Sequence, residues 1–509
     1  MKLSSIPKSG LFVFIVTLLS SPIISAKSNR LNLLLVTVDD MSCDSVGVYG
    51  CKLEGTTPTM DRLASQSLRF EHAHVTVGNC NPCRNVMFSG LISHNNKVEG
   101  FYKVPDPGWP HMVDLLQGSG YYTGIHGKVS HSSPYQPYAW DDDLTISPTG
   151  KKAHIKDAKA YGASTTRGIE MAKKEGKPFF LSINISDPHK PFWSQVRGGG
   201  EDPYVPSRIY TAEEVPVPGF LFEDPEVREE IALYYSSVRR ADDCLNEILK
   251  ALRESGLWDN TMIIFLSDHG MPLPFAKTQL YHHSTRTPLM VRLPGVTQAG
   301  KVERGHMVSI LDLLPTVLDS LGVPNPKRLD GLSFLPLLRG EKQENREFVI
   351  KEYHENAGRS RDPMRAIQSK THLYLFNPWS NGERIFATAT NGTVSCERMI
   401  KLSEEDEEMN KRLELYRFRV PEELYQVNKD PDCLENLIDY ASKEKTLKKL
   451  QVSLEEWMER TNDPILECFR KRDDPEFVEA YIQKLEEEAH ARRIKEKASS
   501  RPKKEKKKP

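Results

Sequence analysis

The chain has 509 residues, 38% of them hydrophobic and 27% charged, which excludes a fibrous or disordered protein and is long enough for two cores. Lys and Arg number 69 against 70 Asp and Glu, a formal charge of −1, so no whole-chain basicity directs it to nucleic acid or a membrane surface. Its eight cysteines are too few for a disulfide scaffold; in an oxidising compartment Cys43 with Cys51 is the pair to expect, although spacing alone does not fix pairing.

In chain order, Lys2 and Lys8 precede the apolar run "LFVFIVTLLSSPIIS", and Ser25 and Ala26 lead into polar "KSNR". That is the layout of a signal peptide over residues 1–26, so the mature chain is expected to be exported, to the periplasm or the exterior. Ile24 is a poor residue three places before the cut, which leaves an uncleaved anchor open as the alternative. No other run is long and apolar enough to span a bilayer.

"NLLLVTVDD" (Asn32 to Asp40) is an apolar, β-branched run ending in two aspartates and reads as a buried strand with carboxylates at its C-terminal tip. "GYYTGIHGK", "KPFFLSINIS" and "NTMIIFLSDHG" repeat that pattern. Between the last two, Asp224 as N-cap and Pro225 at the first helical position open a helix. Val227, Ile231, Tyr234, Val238, Ala241, Leu245, Ile248 and Leu252 then mark one face at spacings of four and three. Alternating strands and helices predict an α/β fold with a large sheet covered on both faces, and a ligand site at the carboxyl ends of the strands.

After about Gly340 the pattern changes. "HLYLFN", "ERIFATATNGTVS" and "ELYQVNKDPD" read as short β pieces before the helical "KTLKKLQVSLEEWMERT". The organisation expected is therefore a catalytic domain over 27–345, a smaller α+β unit over 346–475, and an exposed charged helix fraying into a basic tail over 476–509.

The stretch "GNCNPCRNVMFSG" carries the chemistry. Cys80 and Cys83 are spaced like half a zinc site, but His72 and His74 lack the paired spacing that would complete it. A thioredoxin-like redox pair would need a much smaller unit around it. Taken together, Cys80, Pro82 and Arg84 followed by Ser89-Gly90 form C-x-P-x-R and a downstream S-G, and this resembles the signature of the type I sulfatases.

The resemblance implies the alkaline-phosphatase-like sulfatase fold and oxidation of Cys80, by a formylglycine-generating enzyme, to formylglycine (3-oxoalanine). One hydroxyl of the hydrated aldehyde attacks sulfur, and the other expels sulfate by re-forming the aldehyde. A thiol would instead be left as a stable thiosulfate ester. By the same resemblance Asp39, Asp40, Asp268 and His269, with the group at Cys80, hold one divalent cation, usually calcium. A His at position 269, where many members carry Asn, leaves the metal less certain. Arg84 would brace the formylglycine, Lys128 and His131 would bind sulfate and the hydrated aldehyde, Lys277 would contact the sulfate, and His189 would protonate the leaving group or help hold the sulfate. The spacing Lys128-x-x-His131 is one longer than the family's usual Lys-x-His. Taken singly, each of these side chains reads as a cap, a solvated lysine or a structural histidine.

"SDHGMPLPFAKTQLY", "SILDLLPTVLDSLGVP", "HENAGRSRDPMRAIQSKTHLYLFN" and "LEEWMERTNDP" resemble the heparan N-sulfatase (sulfamidase) branch, with some features similar to iduronate-2-sulfatase. N-sulfoglucosamine of heparin or heparan sulfate is the substrate this implies, with His94, His354, Glu355 and Arg365 as candidates for contacting the sugar. Ordinary polar packing is the competing reading for those four. The branch commonly carries Arg where Lys277 stands, which keeps an O-sulfate substrate open. A phosphonate or phosphodiester hydrolase of the same fold, an inactive carbohydrate-binding relative and a homodimeric assembly also remain open.

Overall fold

The computed structural model describes residues 30–196, 198–356 and 361–500. The expected signal peptide and residues 501–509 of the expected tail lie outside them. Among the described residues no helix is long and apolar enough to cross a membrane.

Eight strands form the main sheet: β1 (Asn32–Asp39), β2 (Leu68–Phe70), β3 (Tyr122–His126), β4 (Asp142–Asp143), β5 (Phe179–Pro188), β6 (Thr261–Ser267), β7 (Leu289–Arg292) and β8 (Val302–Glu303). They lie in the order β4-β3-β5-β1-β6-β7-β2-β8. β4, β3, β5, β1 and β6 run parallel, and β7 is antiparallel to both its neighbours. Every residue of β1, β3, β5 and β6 is buried, which explains why these strands read as continuous apolar runs instead of alternating ones.

Two consecutive residues of β5 show both faces covered. Phe180 meets Phe88 of helix α1 (Cys80–Ser89) at 6.4 Å between ring centroids, whereas Leu181 faces Gly168 of α2 (Ala158–Glu175). Adjacent strand side chains point to opposite faces, so the two helices lie on opposite sides. A Cβ on Gly168 would come within 2.7 Å of Leu181, so the close approach of α2 requires glycine there. Helix α3 (Pro225–Glu254) packs beside α2; the Asp224 side chain accepts from the amides of Glu226 and Val227, and the eight apolar positions expected to face inward are all buried.

The C-terminal part builds a separate antiparallel sheet of β9 (Val349–Glu355), β10 (Arg361–Gln368), β11 (Leu373–Phe376) and β12 (Glu422–Tyr425), in that order. Three expectations need correction. "ERIFATATNGTVS" holds no strand: Thr393 caps α4 (Val394–Leu402) by accepting from Cys396 N. The charged helix, α6 (Pro475–Ser500), which follows α5 (Glu444–Thr461), is docked and not freely exposed, with Ile482 and Ala489 buried and Arg492 stacked over Tyr102 at 4.1 Å. All eight cysteines are free thiols, so the expected Cys43–Cys51 bond is not formed; Cys43 is buried, its thiol pushed up to about 12 by desolvation, and Cys51 lies 3.6 Å from Thr56 Oγ1.

Candidate active site

Four neighbouring parallel strands deliver their C-terminal ends to one place. β1 ends at Asp39-Asp40, β6 runs into Asp268-His269, β3 into Lys128 and β5 into His189, and α1 brings Cys80 as its first residue. Such a convergence of strand ends and a helix N-terminus, where backbone amides point outward, suits an anionic ligand. The chain turns sharply to make it: Asp40 (φ 68°) and Lys128 (φ 49°) adopt left-handed backbone, and Gly127 (φ 70°) precedes Lys128 where a Cβ would come within 2.5 Å of Asn184 O. Non-glycine residues hold that conformation only where their surroundings enforce it.

Asp39, Asp40, Cys80 and His269 each present a ligand atom within 4.8 Å of the others, and all four are buried. Cys80 Sγ is 3.2 Å from His269 Nε2, which is also 3.2 Å from Asp40 Oδ1. Both carboxylate oxygens of Asp39 are buried without a hydrogen-bond partner, although the Lys128 ammonium and, at 3.8 Å, Arg84 stand beside them. Buried carboxylate oxygens that accept no hydrogen bond and rely on ion pairing alone retain lone pairs a metal ion can take up. Two carboxylates and an imidazole therefore fit a divalent cation.

Asp268 stands slightly apart from that set. Its Oδ2 takes a bidentate pair of contacts from Arg84, at 3.0 Å from Nε and 2.8 Å from the terminal nitrogen, and its Oδ1 accepts from Asp40 N at 3.2 Å. Arg84 spends its remaining bonds on Thr37 Oγ1 and Asn184 Oδ1, at 2.9 and 2.7 Å. So Arg84 acts on the carboxylates more directly than on the group at Cys80. Thr37 and Asn184 had no signal in the sequence beyond lying in strands.

Lys277 donates to both oxygens of Asp40, at 2.8 and 2.7 Å. His189 Nδ1 bonds Lys190 O at 2.6 Å, leaving Nε2 towards Asp40 at 3.9 Å. His131 stands edge-on to Phe101 at 5.3 Å. Burial raises the Asp39 and Asp40 carboxyls, but the surrounding cations, led by Lys128 for Asp39 and Lys277 for Asp40, pull both below the usual range. Desolvation and neighbouring Lys128 hold the His131 imidazole down to about 3, and burial likewise lowers His189. Against burial, the charges of Asp268, Cys80 and Asp40 push His269 up to about 9.

Above these groups lies a cavity of about 340 Å³ lined by Asn79, Cys80, Phe101, His131, His189 and Lys277 on one side and by Asn356, Thr388, Asn391 and Gly392 on the other. The second wall comes from the C-terminal part, and "TATNG" within it was read as strand, so those residues were missed. The cavity suits a small ligand bearing an anion, met by Lys277.

His94, His354, Glu355 and Arg365 do not line that cavity. They form a buried network instead: His94 Nδ1 meets Glu352 Oε2 at 2.7 Å, Arg365 clasps both oxygens of Asp463 at 2.5 and 2.9 Å, His354 lies 3.4 Å from Glu99 and Glu352, and Glu355 pairs with Arg361 and Arg492. Glu352, at its centre, was not foreseen. His94, Glu352 and His354 also approach one another as metal ligands would, but Arg365 and Arg361 already supply the positive charge there. The network adjoins the cavity through Phe101 and Asn356, each next in sequence to a member or its neighbour.

Comparison with known proteins agrees with this architecture. The family model described as Sulfatase matches residues 31–323, and that described as N-sulphoglucosamine sulphohydrolase, C-terminal, matches residues 268–380. The chain is 30% identical over 478 residues to human N-sulphoglucosamine sulphohydrolase, covering 85% of this chain and 91% of that protein. It is 28% identical over 384 residues to arylsulfatase K of Gallus gallus, covering 64% and 71%. Among solved structures, BT4656 in complex with its substrate D-glucosamine-2-N,6-O-disulfate superposes with a TM-score of 0.64 at 18% identity, over 86% of this chain and 99% of that one. The phosphonate monoester hydrolase of Agrobacterium radiobacter gives 0.62 at 18% identity, over 85% and 96%. At those identities the structural likeness speaks for the fold alone.

Proposed function

The chain belongs to the sulfatase family, and from that premise we propose that it removes sulfate from a glycosaminoglycan saccharide, with the N-sulfate of glucosamine as its favoured target. It is a hydrolase of sulfate esters or sulfamates. The observation that carries the reading is the placement of Cys80, at a helix N-terminus among Asp39, Asp40 and His269, in a cavity that Lys277, His131 and His189 also line. Identity over most of the chain with a named N-sulphoglucosamine sulphohydrolase supports the choice of substrate.

Formylglycine at position 80 would supply an oxygen nucleophile for sulfur, and a divalent cation, for which the two carboxylates are consistent with calcium, would supply positive charge at the site. Asp39, Asp40, His269 and the group at position 80 would hold that cation, with Asp268 fixed behind them by Arg84. Lys128 and Lys277, now paired with Asp39 and Asp40, are placed to turn part of their charge to a sulfate entering between them. His131 presents an unbonded Nδ1 and no charge, a donor or acceptor that does not repel the lysines. The bond from His189 Nδ1 to Lys190 O leaves Nε2 as the atom that carries a mobile proton, and an arriving sulfate anion raises its proton affinity. His189 is thereby positioned to protonate the departing nitrogen or oxygen. His94, His354, Glu355 and Arg365 serve the sugar by holding the Phe101 and Asn356 walls.

The deciding experiment follows free sulfate released by the matured enzyme from heparin disaccharides sulfated only at N, 2-O or 6-O. Release from the N-sulfated sugar alone is expected. Release only from an O-sulfated form would keep the sulfatase and overturn the substrate.

A further inference from the structure

A second and larger cavity, about 1050 Å³, adjoins the one over Cys80, and His131 and His189 stand in the walls of both. The cavity over Cys80 lies at the low end of the roughly 300–1,000 Å³ that small-molecule sites occupy, room for little more than one sugar; its neighbour lies at the high end. A saccharide whose sulfated residue fills the first would have its next residue in the second.

The charges in the larger cavity are unequally committed. Lys156 is bonded to Asp187 at 2.5 Å, and Arg240 to Asp187 and Asp202 at 2.7 and 2.8 Å, so these cations are neutralised. Two lysines of the lining, Lys152 and Lys190, make no side-chain hydrogen bond or ion pair among the described residues; Lys152 is exposed to solvent, whereas Lys190, directly after His189, is half-buried. Burial accordingly lowers its proton affinity, with Glu230 the foremost charge opposing that effect and Lys277 adding to it. Glu230 is itself committed to capping α4, through Val394 N, Ser395 N and Ser395 Oγ. A partly dehydrated ammonium with no partner is unfavourable by itself and becomes favourable once an anion meets it. The same cavity is lined by Tyr204 and His154, which stack at 4.3 Å with their planes 14° apart, and by the exposed Ile146 and Ile155, giving an apolar surface on which a sugar ring can lie.

We propose that this cavity is a second subsite, in which Lys190 binds an acidic group on the sugar next to the one being desulfated, with His154 and Tyr204 supporting its ring. The inference rests on the reading of the enzyme as a saccharide sulfatase, and it makes an acidic disaccharide or longer chain, not a lone sugar, the preferred substrate.

The test compares wild type, Lys190→Gln and Lys190→Arg, all matured, on four substrates: an aryl sulfate, a sulfated glucosamine joined to a uronate, the same disaccharide with the carboxyl reduced, and one with a sulfated neighbour. Lys190→Gln is expected to raise KM at least about tenfold on acidic disaccharides at nearly constant kcat, to leave the aryl sulfate and the reduced disaccharide unchanged, and to be largely rescued by Lys190→Arg. A loss already present with the plain uronate assigns the carboxylate; one that needs the sulfated neighbour assigns sulfate. No change on acidic disaccharides, or equal loss on all four substrates, overturns the subsite while leaving the sulfatase intact. Turnover of the aryl sulfate with no saccharide accepted by wild type overturns the saccharide reading and the subsite with it.

Discussion

Cys80 is 2% exposed and lies 3.2 Å from His269, so replacing it removes the proposed nucleophile's position without emptying much space. Cys80→Ala is expected to lower turnover by at least about a thousandfold at an unchanged melting temperature; residual activity within tenfold of wild type would refute the mechanism. Lys277 is the residue most able to redirect the chemistry. Its ammonium spans both oxygens of Asp40, and a planar guanidinium there would offer a two-pronged contact with different reach. Lys277→Arg is expected to shift the ratio of N- to O-desulfation, measured on the same disaccharides. The carboxylates, Lys128 and the cysteine were legible in the sequence because each stands at a strand tip or in a spaced motif; Lys277, in a loop ten residues beyond β6, was legible only through the family resemblance. Thr37 and Asn184 were not, because a residue that holds Arg84 from inside a strand leaves the same mark as any small polar core residue.

Among the elements, β1, β3, β5, β6 and α3 were legible almost to their ends, since apolar runs and a capped 3.6-residue period are local signals, whereas β2, β4, β7 and β8, of two to four residues each, were not. The segment between β11 and β12 was not. Its alternating threonines favour strand, but Thr388, Thr390 and Tyr416 bond to one another and to Thr278, and that tertiary network outweighs propensity. β9 carries a further unforeseen group, Lys351, buried and bonded to Gln368 Oε1 at 2.5 Å and Leu280 O at 3.2 Å. Desolvation holds its ammonium down to about 7. The folded chain therefore binds fewer protons than the unfolded one between about pH 7 and 10.5, and stability rises with pH through that window. Lys351→Met removes this dependence. Urea midpoints at pH 7 and 9.5 should show the wild type gaining on the variant at the higher pH; an unchanged gap would refute the account.

For the whole molecule, the active site is shared: strand ends of the main sheet make the floor and residues 388–392 with Asn356 make the opposite wall. The junction holding them together includes Glu99, His354 and Arg361. Burial alone would raise the Glu99 carboxyl, but His354 and Arg361 bring it down to about 2. Its stabilisation is complete above about pH 4.5 and is lost as pH falls towards about 2. Glu99→Gln should flatten the acid limb of stability in that range, followed by tryptophan fluorescence in weak denaturant; a parallel limb in both proteins would place the acid sensitivity elsewhere. The length of the chain indicated two cores, but nothing in either half foretold that the cavity would be closed by both, because contacts between distant segments carry no local pattern.

The helix that begins at Cys80 is buried along all ten of its residues, from its first turn to Gly90. This sets an order of events during biosynthesis. A modifying protein would need several residues around its target laid out as an accessible strip, and the folded molecule offers none here, so the proposed oxidation of Cys80 would have to take place while the polypeptide is still emerging or held open. Correctly folded protein made without that activity is therefore a dead end: adding the modifying enzyme after purification should yield no aldehyde by mass spectrometry, whereas the same treatment of a denatured chain or a short peptide spanning Cys80 to Gly90 should.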